Sequence, residues 1–150
     1  MNSGKHRNIM KDLSLTLLAE GKTIRIKAHG YSMYPCIRPG SLIIIEPVKI
    51  KGPPVPGEII AIQRETGLIV HRLVRINKKE GIPLYIARGD SNAYPDAPVK
   101  LSMIAGRVTG AETSGENPVK ADISINTNPG YFFKRLRVIA LMIKKKLTAK

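Results

Sequence analysis

Short apolar runs separated by turn residues dominate the middle of the chain. Ile24 and Ile26 alternate with basic residues, which is the pattern of a half-buried strand, whereas residues 41–46 form a β-branched run typical of a buried strand. Further strands are predicted at residues 58–64, 68–77, 84–87 and 103–109, with Gly106 as a bulge. Residues 51–57 hold three prolines and are predicted to be a loop. The pattern therefore predicts an all-β domain.

Helical periodicity is confined to the two ends of the chain. Ile9, Leu13 and Leu17 recur at helical spacing before the stop signal Gly21, which predicts a short N-terminal helix. A C-terminal amphipathic helix is predicted from apolar residues that share one face: Phe132, Leu136, Ile139, Ile143 and Leu147.

These elements divide the chain into four predicted segments. They are an N-terminal helical segment (1–21), a β domain (22–110), a linker rich in turn residues (111–130) and a basic amphipathic helix (131–150).

Charge narrows the choice of partners. The chain has 25 Lys and Arg against 11 Asp and Glu, a formal net charge of +14, which favours nucleic acid, an anionic membrane face or an acidic polypeptide. Residues 134–150 contain basic residues and no acidic one. Three interpretations of the C-terminal helix stay open: contact with an anionic membrane, packing on the protein's own β domain, or docking to a partner protein.

Cysteine content and hydropathy restrict the cellular setting. Cys36 is the only cysteine, so neither an intramolecular disulfide nor a cysteine zinc site can form. No apolar run approaches the roughly 20 residues of a membrane span, and the N-terminus has no apolar run of signal-peptide length. We expect a cytoplasmic chain, free or peripheral on the inner face of the membrane, that needs no cofactor.

Ser32 is a candidate nucleophile because it lies between a strand end and a proline turn. A nucleophile needs such a rigid, exposed position, since its oxygen must reach a carbonyl without backbone motion. The common alternative is a turn-forming serine that bonds its own backbone. A serine hydroxyl also needs an adjacent base.

The histidines offer that base. His6 lies in a polar N-terminal segment. His29 is three residues before Ser32, on the strand that leads into the turn, where its side chain can point away from the serine oxygen. His71 stands beside Arg72 inside an apolar strand, where a polar pair needs partners or a cleft. Imidazole exchanges protons near neutrality. The alternative role for His71 is a hydrogen-bonded sheet residue.

Two carboxylates, Asp90 and Asp96, lie in the polar loop that follows. Either could orient a catalytic base, and each could instead form a turn or stay solvated.

Several segments, in their order, resemble the type I signal peptidases and their SOS-repressor autopeptidase relatives. The similar segments are 30–35 (Gly-x-Ser-Met-x-Pro), 57–60 (Gly-Glu-Ile-Ile), 70–74 (Val-His-Arg-Leu-Val), 88–96 (Arg-Gly-Asp-Ser-Asn and a later Asp) and 106–108 (Gly-Arg-Val). The resemblance covers about residues 24–110. His71 follows Ser32 by 39 residues, Asp90 follows His71 by 19, and Asp96 follows Asp90 by 6.

The resemblance implies a fold and roles. It implies the all-β signal-peptidase and repressor-autopeptidase fold, with Ser32 as nucleophile and His71 as general base and acid. Since most bacterial signal peptidases and the repressors have lysine at the base position, His71 makes the chain similar to the histidine branch of endoplasmic-reticulum and archaeal enzymes. We favour Asp96 as the partner of His71 and Asp90 as a brace of the loop.

The implied activity is cleavage of a leader or signal segment from a polypeptide through an acyl-enzyme. We expect a cleft lined by Tyr31, Met33 and residues 43–45, where an extended substrate binds by strand addition.

The chain also departs from the family pattern. It lacks the usual transmembrane anchor, and Gly40-Ser41 and Gly57-Glu58 replace more usual Gly-Asp pairs. Two other functions stay open: a non-catalytic regulatory or nucleic-acid-binding module on the same fold, and a self-cleaving repressor-like peptidase. Nucleic acid is not an expected partner, because aromatic residues are only 5% and no helix-turn-helix precedes the β domain.

Overall fold

Residues 12–65 and 67–112 are the part of the chain that the computed structural model describes. The elements, in chain order, are α1 (residues 12–19), β1 (Ile24–Lys27), β2 (Leu42–Pro47), α2 (Val48–Lys51), β3 (Ile59–Arg64), β4 (Gly67–Lys79), β5 (Ile82–Arg88), a 3-10 turn (Leu101–Met103) and β6 (Ile104–Glu112). The predicted all-β fold is confirmed. The predicted C-terminal helix and residues 113–130 of the predicted linker lie outside the described residues.

The strands form one antiparallel sheet in the order β1-β2-β6-β3-β4-β5. The last strand within the described residues, β6, therefore lies in the middle of the sheet, between β2 and β3. A Cβ on Gly106 would lie 2.5 Å from the Glu46 carbonyl oxygen, so only glycine fits at this position, where β6 pairs with β2. The register between β3 and β6 shifts between Ala61 and Ile62, beside the predicted bulge.

Both faces of the central strands are buried. Ile59 and Ala61 belong to one core cluster, whereas Ile60 and Ile62 belong to a second cluster on the other face. This two-sided burial explains why β3 is a continuous apolar run rather than an alternating one. α1 contributes Leu18 to the first cluster.

One hairpin differs from the rest of the sheet. β4 continues past Leu73 as exposed residues 74–79, turns at Glu80 and Gly81, both with positive φ, and returns along β5. We call residues 74–84 the β4–β5 arm. The pattern predicted shorter strands here, because the alternation ends at Asn77 and the residues that follow are charged or turn-forming.

The segment between β2 and β3 also differs from the prediction. Its first residues form the one-turn helix α2, which includes Lys51 of the predicted loop. No helix within residues 12–65 and 67–112 has the length and apolar character needed to cross a membrane.

Candidate active site

Ser32 lies in the turn between β1 and β2. The turn is closed where the Ala28 N–H donates to the Ser41 carbonyl at 2.7 Å, and it is tightened where the Ile37 N–H donates to the Met33 carbonyl at 2.8 Å. Met33 and Ile37 are buried in the first core cluster. These anchors hold the Ser32 backbone in place while the residue itself stays half-buried.

The loop after β5 packs directly against this turn. The Ser91 N–H donates to the Ser32 carbonyl at 2.8 Å, and the Ser91 hydroxyl lies 2.9 Å from the Tyr31 carbonyl and 2.8 Å from the Tyr34 carbonyl. A Cβ on Gly89 would lie 2.8 Å from the Ser32 carbonyl oxygen. The loop therefore approaches the Ser32 turn as closely as glycine permits.

The same loop reaches His71. Asp96 Oδ2 lies 2.6 Å from His71 Nδ1, and the Asp96 N–H donates to the Ala87 carbonyl at 2.8 Å, which fixes the aspartate beside β5. A carboxylate only accepts hydrogen bonds, so Nδ1 carries the proton and Nε2 of the neutral ring remains able to accept one. The His71 side chain is 9% exposed.

Asp90, in contrast, binds Arg72. Arg72 Nε and Nη2 each lie 2.9 Å from one oxygen of Asp90, and the two side chains are 12% and 6% exposed. Arg72 Nη1 also donates to the Gly57 carbonyl at 2.8 Å, and Nη2 lies 3.4 Å from Cys36 Sγ. Arg72 thus joins three segments of the chain.

Electrostatics keep this arginine charged. Burial opposes the charged form, but hydrogen bonding to Asp90 and the negative charge of Asp90, with a further contribution from Cys36, leave the pKa of Arg72 above its ordinary value.

A second arginine, the buried Arg107, secures the segment before β3. Arg107 donates to Glu58 at 2.7 Å and to the Gly52 carbonyl, and the other oxygen of Glu58 accepts the Val55 N–H at 2.8 Å. Arg107 and Arg72 therefore hold residues 52–58 from two points.

The structure brings the four predicted site residues to one loop. Ser32 meets it through its carbonyl, His71 through Asp96, and Asp90 lies at its start. The contacts follow the expected division between the two aspartates, and their catalytic roles stay a prediction. Within the described residues, the Ser32 hydroxyl makes no hydrogen bond.

The expected cleft lining is wrong for three residues. Met33, Ile43 and Ile45 are at most 5% exposed, because core packing consumes their side chains. Tyr31 stays 45% exposed.

The sequence pattern did not predict the partners of Arg72 or the hydrogen bonds from the Ser91 hydroxyl to the Tyr31 and Tyr34 carbonyls. The available signal was the polar pair His71-Arg72 inside an apolar strand, which required buried partners. Within the described residues, no cluster of three or more His, Cys, Asp or Glu side chains could hold a metal ion.

A comparison with protein families decides the relationship. A family model described as Peptidase S24-like matches residues 3–109. The chain belongs to this family. A search of the curated proteins finds no match. The Ser32 turn, His71 and the loop with both aspartates all lie inside the S24-like match. The S24-like family also has non-catalytic members, so the activity must be argued from the site itself.

Proposed function

We propose that this chain is a serine endopeptidase of the histidine-base, signal-peptidase type that removes leader or signal segments from polypeptides. The observation that supports this best is the 2.6 Å contact between His71 Nδ1 and Asp96, made by a loop that also binds the Ser32 backbone. A hydrogen-bonded carboxylate sets the tautomer of a catalytic imidazole and stabilises its protonated form.

The proposed reaction proceeds through an acyl-enzyme. The Ser32 oxygen bonds to the substrate carbonyl carbon while His71 Nε2 takes the hydroxyl proton. His71 then gives that proton to the leaving amine as the C–N bond breaks. A water, deprotonated by the same nitrogen, then bonds to the ester carbon. The proton passes from Nε2 to the Ser32 oxygen as the ester C–O bond breaks.

The backbone N–H of Ser32 is a suitable donor for the oxyanion. Within the described residues it donates no hydrogen bond, and the turn around it is fixed by the Met33 and Ile37 anchors. A donor fixed before the reaction needs no reorganisation when charge develops on the oxygen.

The contact between the Ser32 hydroxyl and the His71 ring has to form when substrate binds. Catalytic hydrogen bonds are often long or misaligned in a substrate-free enzyme and tighten in the complex. The Ser32 backbone and the His71 ring are both hydrogen-bonded to the loop of residues 89–96, so this loop couples their positions.

Replacing the nucleophile tests the proposal. Purified wild type, Ser32→Ala and the exposed control Ser102→Ala are incubated with quenched fluorescent peptides that carry small residues before the expected cut, which is the preference that the resemblance implies. We expect wild type and Ser102→Ala to cleave equally and Ser32→Ala to lose about 10³-fold or more in kcat.

Two further measurements complete this test. Rapid quenching followed by mass spectrometry should detect an acyl adduct on the Ser32 peptide of the wild type. Undiminished cleavage by Ser32→Ala contradicts the mechanism. Cleavage of the protein itself at a rate independent of its concentration, with no cleavage of added peptide, identifies the self-cleaving alternative.

A further inference from the structure

The β4–β5 arm exposes aliphatic side chains that the rest of the sheet buries. Val74, Ile76 and Ile82 are 36%, 37% and 48% exposed. Elsewhere in the sheet, Ile and Leu side chains of the central strands fill two core clusters. Exposed apolar groups on a projecting element commonly mark an interaction surface.

Cations lie beside these aliphatic groups on both faces of the arm. Lys79 lies opposite Ile82 across the two strands, and Lys78 follows Ile76 by two residues in β4, so the two lie on one face. Arg75 lies between Val74 and Ile76 in β4, opposite the buried Ile86. The only acidic residue of the arm is Glu80, in the turn. The arm therefore carries a net positive charge together with apolar contact area.

The arm continues the strand that carries His71. Arg75 and Lys79 lie four and eight residues beyond His71, which at about 3.3 Å per residue is roughly 13 and 26 Å. Because adjacent strands are antiparallel, β1 and β4 run in the same direction. The Ser32 turn after β1 and the arm therefore leave the sheet at the same end.

We propose that the β4–β5 arm is an exosite for an acidic, extended segment of the polypeptide substrate. This inference rests on the proposed function. An extended peptide has the same rise per residue as β4, so its acidic residues belong about four to eight positions from the scissile bond. Alternating aliphatic and cationic groups on both faces suit a peptide better than a lipid surface, which contacts one face, or a nucleic acid, which leaves the aliphatic groups uncovered.

Binding to an inactive protein tests the exosite without catalysis. In the Ser32→Ala background, fluorescence anisotropy is measured with labelled peptides that carry four glutamates at positions four to eight from an Ala-x-Ala segment, on its N-terminal or C-terminal side. A peptide with glutamines in place of the glutamates controls for charge. We expect the glutamate peptide to bind about tenfold more tightly, with the difference lost in high salt.

A matched pair of variants locates the effect. The arm variant is Arg75→Glu, Lys78→Glu and Lys79→Glu. The control variant is Lys22→Glu, Lys51→Glu and Lys100→Glu, with the same charge change at the end of the sheet where β1 and β6 begin. We expect the arm variant alone to weaken binding of the glutamate peptide by about tenfold, with binding of the glutamine peptide unchanged. Circular dichroism melting checks that both variants stay folded.

Cleavage kinetics separate this inference from the proposed function. With Ser32 present, the arm variant should raise KM for the glutamate peptide about tenfold and leave kcat unchanged. Equal effects of the arm and control variants overturn the exosite, as does retention of peptide binding by an arm variant that loses binding to phosphatidylserine vesicles or duplex DNA. Absence of cleavage of every peptide by wild type contradicts the proposed function, and the anisotropy result still decides the exosite.

Discussion

Two neighbouring residues of β4, His71 and Arg72, use the same loop in different ways. They lie opposite Ile60 and Ile59, which belong to different core clusters, so they point to opposite faces of the sheet. His71 makes one contact with Asp96, whose side chain is 22% exposed, whereas Arg72 holds both oxygens of Asp90, which is 6% exposed.

The two contacts suit different roles: the one between His71 and Asp96 suits the proposed proton transfer, and the one between Arg72 and Asp90 suits structural support. A single hydrogen bond to Asp96 orients the His71 imidazole and leaves its other ring nitrogen available. A buried bidentate pair is costly to break, because either partner alone would be a buried charge. One loop thus carries the proposed partner of the catalytic base and a structural anchor six residues apart, and three substitutions test this contrast.

Asp96→Asn should have the largest effect, and the effect should fall on catalysis. The amide cannot enforce the same tautomer of His71 or stabilise the charged ring, so we expect kcat to fall by about 10²–10⁴-fold. The melting temperature should change little, since Asp96 is partly exposed. A large loss of stability with an unchanged kcat would show that Asp96 has a structural role and not a catalytic one.

Asp90→Ala should act in the opposite way. It leaves the partly buried Arg72 guanidinium without its carboxylate, so we expect the free energy of unfolding to fall by about 2–3 kcal/mol. Urea denaturation followed by circular dichroism measures this, with Asp96→Ala as the matched control. If both alanine variants shift the urea midpoint equally, the two carboxylates do not differ in structural role.

Ser91→Ala should have the smallest effect of the three. It removes a hydroxyl that bonds the Tyr31 and Tyr34 carbonyls but keeps the backbone bond from Ser91 to Ser32. We expect a loss of about 1 kcal/mol in stability and a modest fall in kcat/KM. Ser102→Ala, which is exposed, should leave both unchanged.

Local patterns could predict the strands and the site residues but not their arrangement. The β-branched run of β2 and the apolar run around His71 are visible in the sequence. The position of β6 between β2 and β3 is not, because strand order depends on contacts between residues far apart in the chain.

The same limit applied to side chains. The pairing of Arg72 with Asp90, the sulfur of Cys36 and the Gly57 carbonyl needs four segments of the chain to meet, and no spacing rule specifies that. Met33 was expected in a cleft because it adjoins Ser32, but a methionine beside a tight turn can equally fill the core, and here it does.

The central position of β6 has a consequence for biosynthesis. Ser32 follows β1 in one half of the sheet and His71 lies in the other half, and within the described residues β6 is the strand that pairs with both halves. When translation has reached Asp96, the nascent chain contains every proposed catalytic residue but not yet β6. We therefore expect a nascent chain to lack the assembled candidate site until residues 104–112 have been made.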